Sequence, residues 1–123
     1  KVLEQVMALN PDLIVLAGFL WKFPTDIVVQ YPNKIINIHP ALLPKYGGKG
    51  MYGMNVHRAI LENKESHSGI SIHYVNENYD EGAMIFQAEV AVDSCTTPEE
   101  IAVKVQELEH LHFPQIINEL LCP

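Results

Sequence analysis

The sequence predicts an α/β fold whose apolar strands form a largely parallel sheet. Residues 13–18 form a continuous apolar run that is typical of a strand buried on both faces, and residues 34–39, which include three isoleucines, form a second buried run. A segment with helical start signals separates these runs, and two further helical segments follow later in the chain. Strands that alternate with helices in this way are typical of the α/β class.

Four elements are predicted before residue 40. In order, they are a short helix over residues 2–9, a strand over 13–18, a helix from Pro24 or Thr25 to about Gln30, and a strand over 34–39. Asn10-Pro11 and Tyr31-Pro32-Asn33 supply the turns that end the two helices. The second strand stops at Pro40, because proline cannot donate a backbone hydrogen bond within a sheet.

Five segments are predicted after residue 40. They are a glycine-rich loop over 45–53, a helix over 54–62, a strand over 69–75, a strand over 83–92 near the edge of the sheet, and a helix from Thr97 to about Leu121. The last helix has the clearest start signals. Thr97 is a good N-cap, Pro98 suits the first helical position, and acidic side chains follow in the first turn.

Composition narrows the possible classes of protein. A chain of 123 residues can form one domain, and its 48% hydrophobic content is enough for a packed core. The net charge of −7 argues against a nucleic-acid-binding surface, which is normally basic. No apolar run approaches the roughly 20 residues of a membrane span. Cys95 and Cys122 form no metal or redox motif, which favours free thiols in a reducing compartment such as the cytoplasm.

The end of the second predicted strand carries the most informative polar residues. Side chains alternate between faces along a strand, so Asn37 and His39 should emerge on the same face near its carboxyl end. Asp80 follows the next strand and is expected at the same edge. An amide donor and a titratable imidazole suit chemistry at a carbonyl group. From spacing alone, a capped strand end with a solvated aspartate in a turn remains the alternative.

Several motifs in the same order resemble a known enzyme family. These motifs are residues 37–40 (Asn-Ile-His-Pro), 42–46 (Leu-Leu-Pro-Lys-Tyr), the strand 69–75, the turn 80–82 (Asp-Glu-Gly) and the segment 105–110. Together they resemble the phosphoribosylglycinamide formyltransferases, or GAR transformylases, of purine synthesis. The related methionyl-tRNA formyltransferases and formyltetrahydrofolate hydrolases share the Asn-x-His pattern. The resemblance implies a Rossmann-like, three-layer formyltransferase fold.

The resemblance also has a consequence for domain organisation. Residues 1–123 would form the C-terminal catalytic portion of a formyltransferase domain. The family's first strand and its glycine-rich phosphate-binding loop have no counterpart in this sequence. We therefore expect a sheet that lacks its N-terminal strand or strands. The activity of this portion by itself is left open.

By position, the resemblance implies a catalytic trio of Asn37, His39 and Asp80. The amine of glycinamide ribonucleotide would attack the formyl carbon of 10-formyltetrahydrofolate directly and form a tetrahedral intermediate. Asn37 would hydrogen-bond the formyl oxygen, and a protonated His39, supported by Asp80, would stabilise the same oxyanion. Asp80, through water, would help to move protons from the amine to the folate nitrogen. No metal is required.

The resemblance further implies two binding regions. The folate pocket would be formed by Leu20, Trp21, Phe23, Ile35, Val75, Asn76 and Asp80. The nucleotide would contact Asn37, Gln106 and Glu109. Core packing for the aromatic residues and ordinary helix-surface polarity for Gln106 and Glu109 are the alternatives. His73 matches a histidine near the family's site, although a core role is favoured, and His57 shows no ligand constellation.

Two other functions remain open at this point. One is a different 10-formyltetrahydrofolate-using enzyme, either a hydrolase or a tRNA formyltransferase. The other is a non-catalytic folate-binding fragment, which the missing phosphate loop would explain. For the enzyme hypothesis, glycinamide ribonucleotide and folate are the expected partners, without nucleic acid or membrane, and the expected state is a monomer or a homodimer.

Overall fold

The computed structural model describes residues 8, 13–17, 25–31, 34–43, 45–47, 50–51, 53–75 and 83–121. In these residues the strands are β1 (Ile14–Ala17), β2 (Ile35–His39), β3 (His67–Tyr74) and β4 (Met84–Ala91), and the helices are α1 (Thr25–Gln30), α2 (Met54–Glu62) and α3 (Pro98–Leu121). The α/β class is confirmed, and α2 has the predicted bounds. The helix predicted over residues 2–9 lies, except for Ala8, outside the described residues.

The four strands form one sheet in the order β1-β2-β3-β4. β1 and β2 are parallel, whereas β3 is antiparallel to both β2 and β4. The described sheet is therefore mixed, and the expectation of a mostly parallel sheet does not hold for these strands. β3 and β4 are antiparallel because the connection between them is short. Only nine residues, 75–83, separate the two strands, and a parallel crossover needs a dozen or more.

The register between β2 and β3 places polar side chains together. Asn37 lies opposite His73, and His39 lies opposite Ser71. Since side chains alternate along each strand, these four residues share one face of the sheet, which we call the polar face. The isoleucines between and beside them, Ile36, Ile38, Ile70 and Ile72, occupy the opposite face, which we call the isoleucine face.

The isoleucine face forms the main core with α2 and α3. Ile36, Ile70 and Ile72 are completely buried. From the helices, the buried residues of this cluster are Val56, Ile60, Ile101, Val105 and Ile116. Burial of one such aliphatic side chain contributes roughly 1.5–3 kcal/mol, so this cluster holds the two helices against the sheet.

A smaller core lies on the other side of the sheet. Ile27 and Val28 of α1 pack with Tyr31 and with Ile35, the first residue of β2. Ile35 is on the same face as Asn37, because the two residues are two positions apart. Helices therefore cover both faces of the sheet, which agrees with the three-layer architecture that the family resemblance implies.

The start of α3 follows its sequence signals closely. Thr97 Oγ1 accepts a hydrogen bond from the backbone N–H of Glu100 at 3.2 Å, and the Glu100 carboxylate accepts one from the Thr97 N–H at 3.2 Å. This reciprocal arrangement is a capping box. The Glu100 carboxylate also accepts hydrogen bonds from Thr96, and these bonds lower the pKa of Glu100. Among the described helices, none combines the length and apolar character that crossing a membrane requires.

Candidate active site

The polar face contains a hydrogen-bonded pair formed by Asn37 and His73. The Nδ1 atom of His73 lies 2.9 Å from the carbonyl oxygen of Tyr74, which can only accept, so Nδ1 carries the proton. Neutral His73 then accepts at Nε2, where the amide nitrogen of Asn37 approaches to 3.5 Å in a long hydrogen bond. The structure thus assigns His73 a contact with a candidate catalytic residue, beyond core packing.

This pairing determines which way the Asn37 amide points. With Nδ2 turned toward His73, the side-chain oxygen Oδ1 is buried and has no hydrogen-bond partner among the described residues. A buried polar atom that lacks a partner costs roughly 1–3 kcal/mol. A ligand N–H group that reached Oδ1 would recover that free energy. Asn37 therefore offers an acceptor as well as the donor that the sequence suggests.

His39 lies at the carboxyl end of β2, on the same face as Asn37, as predicted. Its side chain is 4% exposed. Nε2 lies 2.6 Å from the backbone carbonyl oxygen of Tyr46. Because a carbonyl oxygen can only accept, the proton of neutral His39 is on Nε2. The imidazole is therefore held in one orientation and one tautomer.

Ser71 and Gln87 fasten the segment that follows His39. The Ser71 hydroxyl donates to the Ala41 carbonyl oxygen at 2.6 Å and accepts from the Leu43 N–H at 2.9 Å. Gln87 donates from Nε2 to the Leu43 carbonyl oxygen and to the Ser71 hydroxyl, both at 2.9 Å. These bonds connect the chain after β2 to β3 and β4 and so hold the segment that follows His39 in place.

His57 on α2 is a buried histidine under the electrostatic influence of His39, and sequence reasoning did not single it out. It is 6% exposed, and its Nδ1 atom is buried without a hydrogen-bond partner among the described residues. Burial lowers the pKa of His57, and the nearby charge of His39 lowers it further. The spacing offered a signal: His57 follows the core residue Val56 and precedes Ile60 by one helical turn, so it belongs to the buried side of α2.

The lowered pKa of His57 makes stability depend on pH. Between the lowered folded-state pKa and the ordinary value of 6.5, the unfolded chain binds a proton that the folded chain does not. We therefore expect the free energy of unfolding to fall as the pH drops below about 6.5, and His57→Gln to reduce this fall. Urea unfolding at pH 7.5 and pH 5.5 measures it.

The matched control for this prediction is His67→Gln. His67 is an exposed residue at the start of β3, so its replacement should leave the pH dependence of unfolding as it is in the parent protein. If the free energy of unfolding of His57→Gln depended on pH as strongly as that of the parent, the buried imidazole of His57 would not be the source of that pH dependence.

Five predicted site residues lie outside the described residues: Leu20, Trp21, Phe23, Asn76 and Asp80. The argument that placed Asp80 beside His39 used the carboxyl ends of parallel strands. That argument was wrong, because β3 is antiparallel to β2 and its last residue, Tyr74, pairs with Ile36. β3 therefore ends near the amino end of β2, at the opposite end of that strand from His39. The contact between Asp80 and His39 stays a prediction.

Ile35 and Val75, both predicted to line the folate pocket, are adjacent in the structure. The Val75 N–H donates to the Ile35 carbonyl oxygen at 2.8 Å, and Val75 is partly buried. Ile35 is 1% exposed and packs beneath α1. The side chain of Val75 thus retains surface for a ligand, whereas that of Ile35 belongs to the smaller core. Their role toward folate stays a prediction.

Gln106 and Glu109, the predicted nucleotide contacts, lie on α3. Gln106 is exposed and Glu109 is half-buried, and within the described chain neither forms a hydrogen bond with Asn37. Burial raises the pKa of Glu109, and the neighbouring His110 opposes this effect. A half-buried carboxylate of this kind is ready to accept hydrogen bonds from hydroxyl groups. Whether these residues contact a nucleotide stays a prediction.

The arrangement suits addition to a carbonyl carbon. An amide with a donor and an open acceptor stands beside an imidazole of fixed tautomer, and both are largely removed from water. Such groups can hold an attacking nucleophile and stabilise the oxyanion that forms. In the part of the chain that the structure describes, no three His, Cys, Asp or Glu side chains converge as metal ligands would.

Comparisons with known proteins agree with this chemistry. The family model described as "Formyl transferase" matches residues 1–117. The chain is 45% identical over 120 residues to the chloroplastic phosphoribosylglycinamide formyltransferase of Arabidopsis thaliana, covering 98% of this chain and 41% of that protein. It is 36% identical over 118 residues to the phosphoribosylglycinamide formyltransferase of Escherichia coli (strain K12), covering 96% and 53%.

A solved structure shows the same fold. The crystal structure of phosphoribosylglycinamide formyltransferase from Bacillus Halodurans superposes with a TM-score of 0.87 at 30% identity, covering 98% of this chain and 60% of that chain. The present chain thus spans about half the length of the relatives that it matches. Since the family model extends over nearly all of the sequence, the chain belongs to the formyl transferase family.

Proposed function

We propose that the full natural protein transfers the formyl group of 10-formyltetrahydrofolate to the amine of glycinamide ribonucleotide, a step of purine synthesis. The observation that carries this proposal is the Asn37–His39 pair at the end of β2, with the open Asn37 Oδ1 acceptor and the fixed His39 tautomer. The names of the Arabidopsis and Escherichia coli relatives support the choice of acceptor.

In the proposed reaction, the amine nitrogen attacks the formyl carbon and forms a tetrahedral intermediate. Asn37 Oδ1 accepts one N–H of the amine and aligns its lone pair, while the second Nδ2 hydrogen donates to the developing oxyanion. His39, protonated and supported by Asp80, stabilises the same oxyanion. The intermediate then breaks its bond to the folate nitrogen. Asp80, through water, carries the proton from the amine to that nitrogen.

The proposed binding regions keep the residues that the sequence suggests. The folate would be bound by Leu20, Trp21, Phe23, Ile35, Val75, Asn76 and Asp80, whose apolar walls and polar edges suit a pterin. Gln106 and Glu109 would bind the ribonucleotide. Burial disfavours the charged form of Glu109 and so raises its pKa. Hydrogen bonds from ribose hydroxyls to the carboxylate would offset this cost of burial.

The proposed setting is the cytoplasm, with the protein as a monomer or homodimer. The support is the unpaired, buried thiol of Cys95, which is typical of a reducing compartment. The Arabidopsis relative carries the word chloroplastic in its name, so the compartment needs its own test. A fluorescent fusion of the full natural protein would show the compartment, and sedimentation would show the oligomeric state.

An acceptor panel tests the proposed activity. The full natural protein is supplied with 10-formyltetrahydrofolate and with glycinamide ribonucleotide, with initiator methionyl-tRNA, or with no acceptor. We expect a formylated product only with the ribonucleotide. Formylation of the tRNA, or release of formate without an acceptor, would instead favour the related enzymes. Calorimetric binding of folate without ribonucleotide binding or turnover would identify a non-catalytic folate-binding protein.

Asp80→Asn tests the proposed proton path. Because asparagine cannot take up a proton, we expect kcat to fall by about 10²–10⁴-fold, the usual range for a lost acid–base group. Initial rates at saturating substrates measure the change. Asp93→Asn is the control, since Asp93 lies in an exposed turn after β4. Turnover of Asp80→Asn near that of the control would remove Asp80 from the mechanism.

A further inference from the structure

Tyr46 has an unusual backbone conformation next to the candidate catalytic histidine. Its φ angle is 58°, in the left-handed region that bulky L-residues seldom occupy. Strained conformations of this kind persist only where the surroundings hold them, and they cluster at functional sites. The contacts that hold Tyr46 in this conformation are therefore relevant to His39, to which its backbone is hydrogen-bonded.

Tyr46 is fastened at both its main chain and its side chain. Its carbonyl oxygen accepts the 2.6 Å hydrogen bond from His39 Nε2. Its hydroxyl donates to Glu65 Oε2 at 2.8 Å, and its ring packs against the main core. The two bonds leave Tyr46 in different directions, one toward the end of β2 and the other toward the junction of α2 and β3.

Glu65 is itself well positioned. Its backbone N–H donates to the carbonyl oxygen of Ile60 at 3.2 Å, which ties it to the end of α2 just before β3 begins. Lys45 Nζ lies 3.6 Å from the same Glu65 oxygen but is largely exposed, so this ion pair contributes little. Burial and the Glu65 carboxylate raise the pKa of Tyr46, so the hydroxyl keeps the proton that it donates.

We propose that Tyr46 is a positioning residue for His39, held by its hydrogen bond to Glu65. The side-chain bond keeps the left-handed turn in place, and the turn directs the backbone carbonyl at Nε2. The carbonyl keeps a proton of His39 on Nε2 and fixes the orientation of the imidazole toward the reacting formyl group. This role rests on the proposed function, but the tautomer of His39 is a property of the protein alone.

The alternative role for Tyr46 is simple anchoring of the loop. If Tyr46 only anchored the loop, removing its hydroxyl would lower the free energy of unfolding. The tautomer of His39 would stay the same, and kcat would not fall selectively while KM stayed constant. A positioning residue would change both. The Tyr46→Phe variant separates the two roles, because it removes the hydroxyl and retains the ring that packs against the core.

The test is nuclear magnetic resonance of the histidine rings in the full natural protein, with the His39 signals assigned by their loss in His39→Gln. In the parent at pH 8, we expect the proton of neutral His39 on Nε2. In Tyr46→Phe we expect a mixture of tautomers, and kcat about tenfold lower with KM values within about twofold, since small displacements of a catalytic group reduce rate steeply.

Glu65 is the acceptor of the same hydrogen bond, so variants of Glu65 test the bond without changing Tyr46. Glu65→Ala should reproduce both effects, whereas Glu65→Gln should retain the parent tautomer, because its amide oxygen still accepts from the tyrosine hydroxyl. Combining Tyr46→Phe with Glu65→Ala should add little to either single change, as expected for two ends of one interaction. Lys45→Met is the control and should leave the tautomer unchanged.

The outcome is informative whether or not formyl transfer is the reaction. An unchanged His39 tautomer in both Tyr46→Phe and Glu65→Ala would overturn the positioning role, even if the protein formylates glycinamide ribonucleotide. A shifted tautomer without any transfer activity in the parent would leave the positioning intact and reject the proposed function instead.

Discussion

His39→Gln is expected to lower kcat of the full natural protein by about 10²–10⁴-fold, the range for loss of a general acid–base or oxyanion-stabilising group. Glutamine retains an N–H donor that can reach the Tyr46 carbonyl oxygen, so the loop should stay in place. It has no titratable group and cannot supply the positive charge. Steady-state rates with 10-formyltetrahydrofolate and glycinamide ribonucleotide measure the effect.

The matched control for His39→Gln is His67→Gln, on the exposed start of β3. Thermal unfolding and binding of a folate analogue should be the same in both variants. Turnover in His39→Gln within a fewfold of the control would show that the imidazole is not part of the chemistry. A parallel loss of stability would instead show that the substitution had disturbed the fold.

Gly69→Ala is expected to have the largest effect on stability, destabilising the fold by about 3 kcal/mol or more, at the upper end of the cost of overpacking. A Cβ atom at this position would overlap the carbonyl oxygen of Ala88 and would lie 2.9 Å from the Cα atom of Glu89. Both contacts are with the backbone of β4, which is paired to β3 at this point and cannot move away. Denaturant unfolding measures the change.

Ser68→Ala is the control for Gly69→Ala. Ser68 is the neighbouring residue on β3 and is 1% exposed, and its hydroxyl is buried without a partner among the described residues. Removing an unsatisfied buried hydroxyl should leave stability unchanged or raise it slightly. An equal unfolding midpoint for Gly69→Ala and the parent would mean that β3 and β4 are further apart than the structure has them.

The shared face of Asn37 and His39 could be predicted from the sequence, because it depends only on the alternation of side chains along one strand. Alternation along one strand was enough to place Asn37 and His39 on the same face, and the register with β3 confirms this arrangement. The contact with His73 depends on pairing with a strand that is distant in sequence. Alternation alone does not choose that partner, so sequence reasoning could not tell a core histidine from one that orients the Asn37 amide.

The errors have a common physical origin. The mostly parallel sheet and the argument about Asp80 both assumed a strand direction, and direction depends on long-range packing and on connection length. His57 was missed for a related reason: helical periodicity identifies the buried side of α2 but cannot show which strand end it meets. The electrostatic influence of His39 on the pKa of His57 appears only in the folded chain.

The sequence by itself determined the elements, the capping box of α3 and the face shared by Asn37 and His39, because these features depend on neighbouring residues and on the period of each element. Only the tertiary structure decided the direction of β3, the orientation of the Asn37 amide and the left-handed turn at Tyr46. Each of these depends on hydrogen bonds between residues far apart in the chain, whose geometry forms only when the sheet, α2 and the loop pack together.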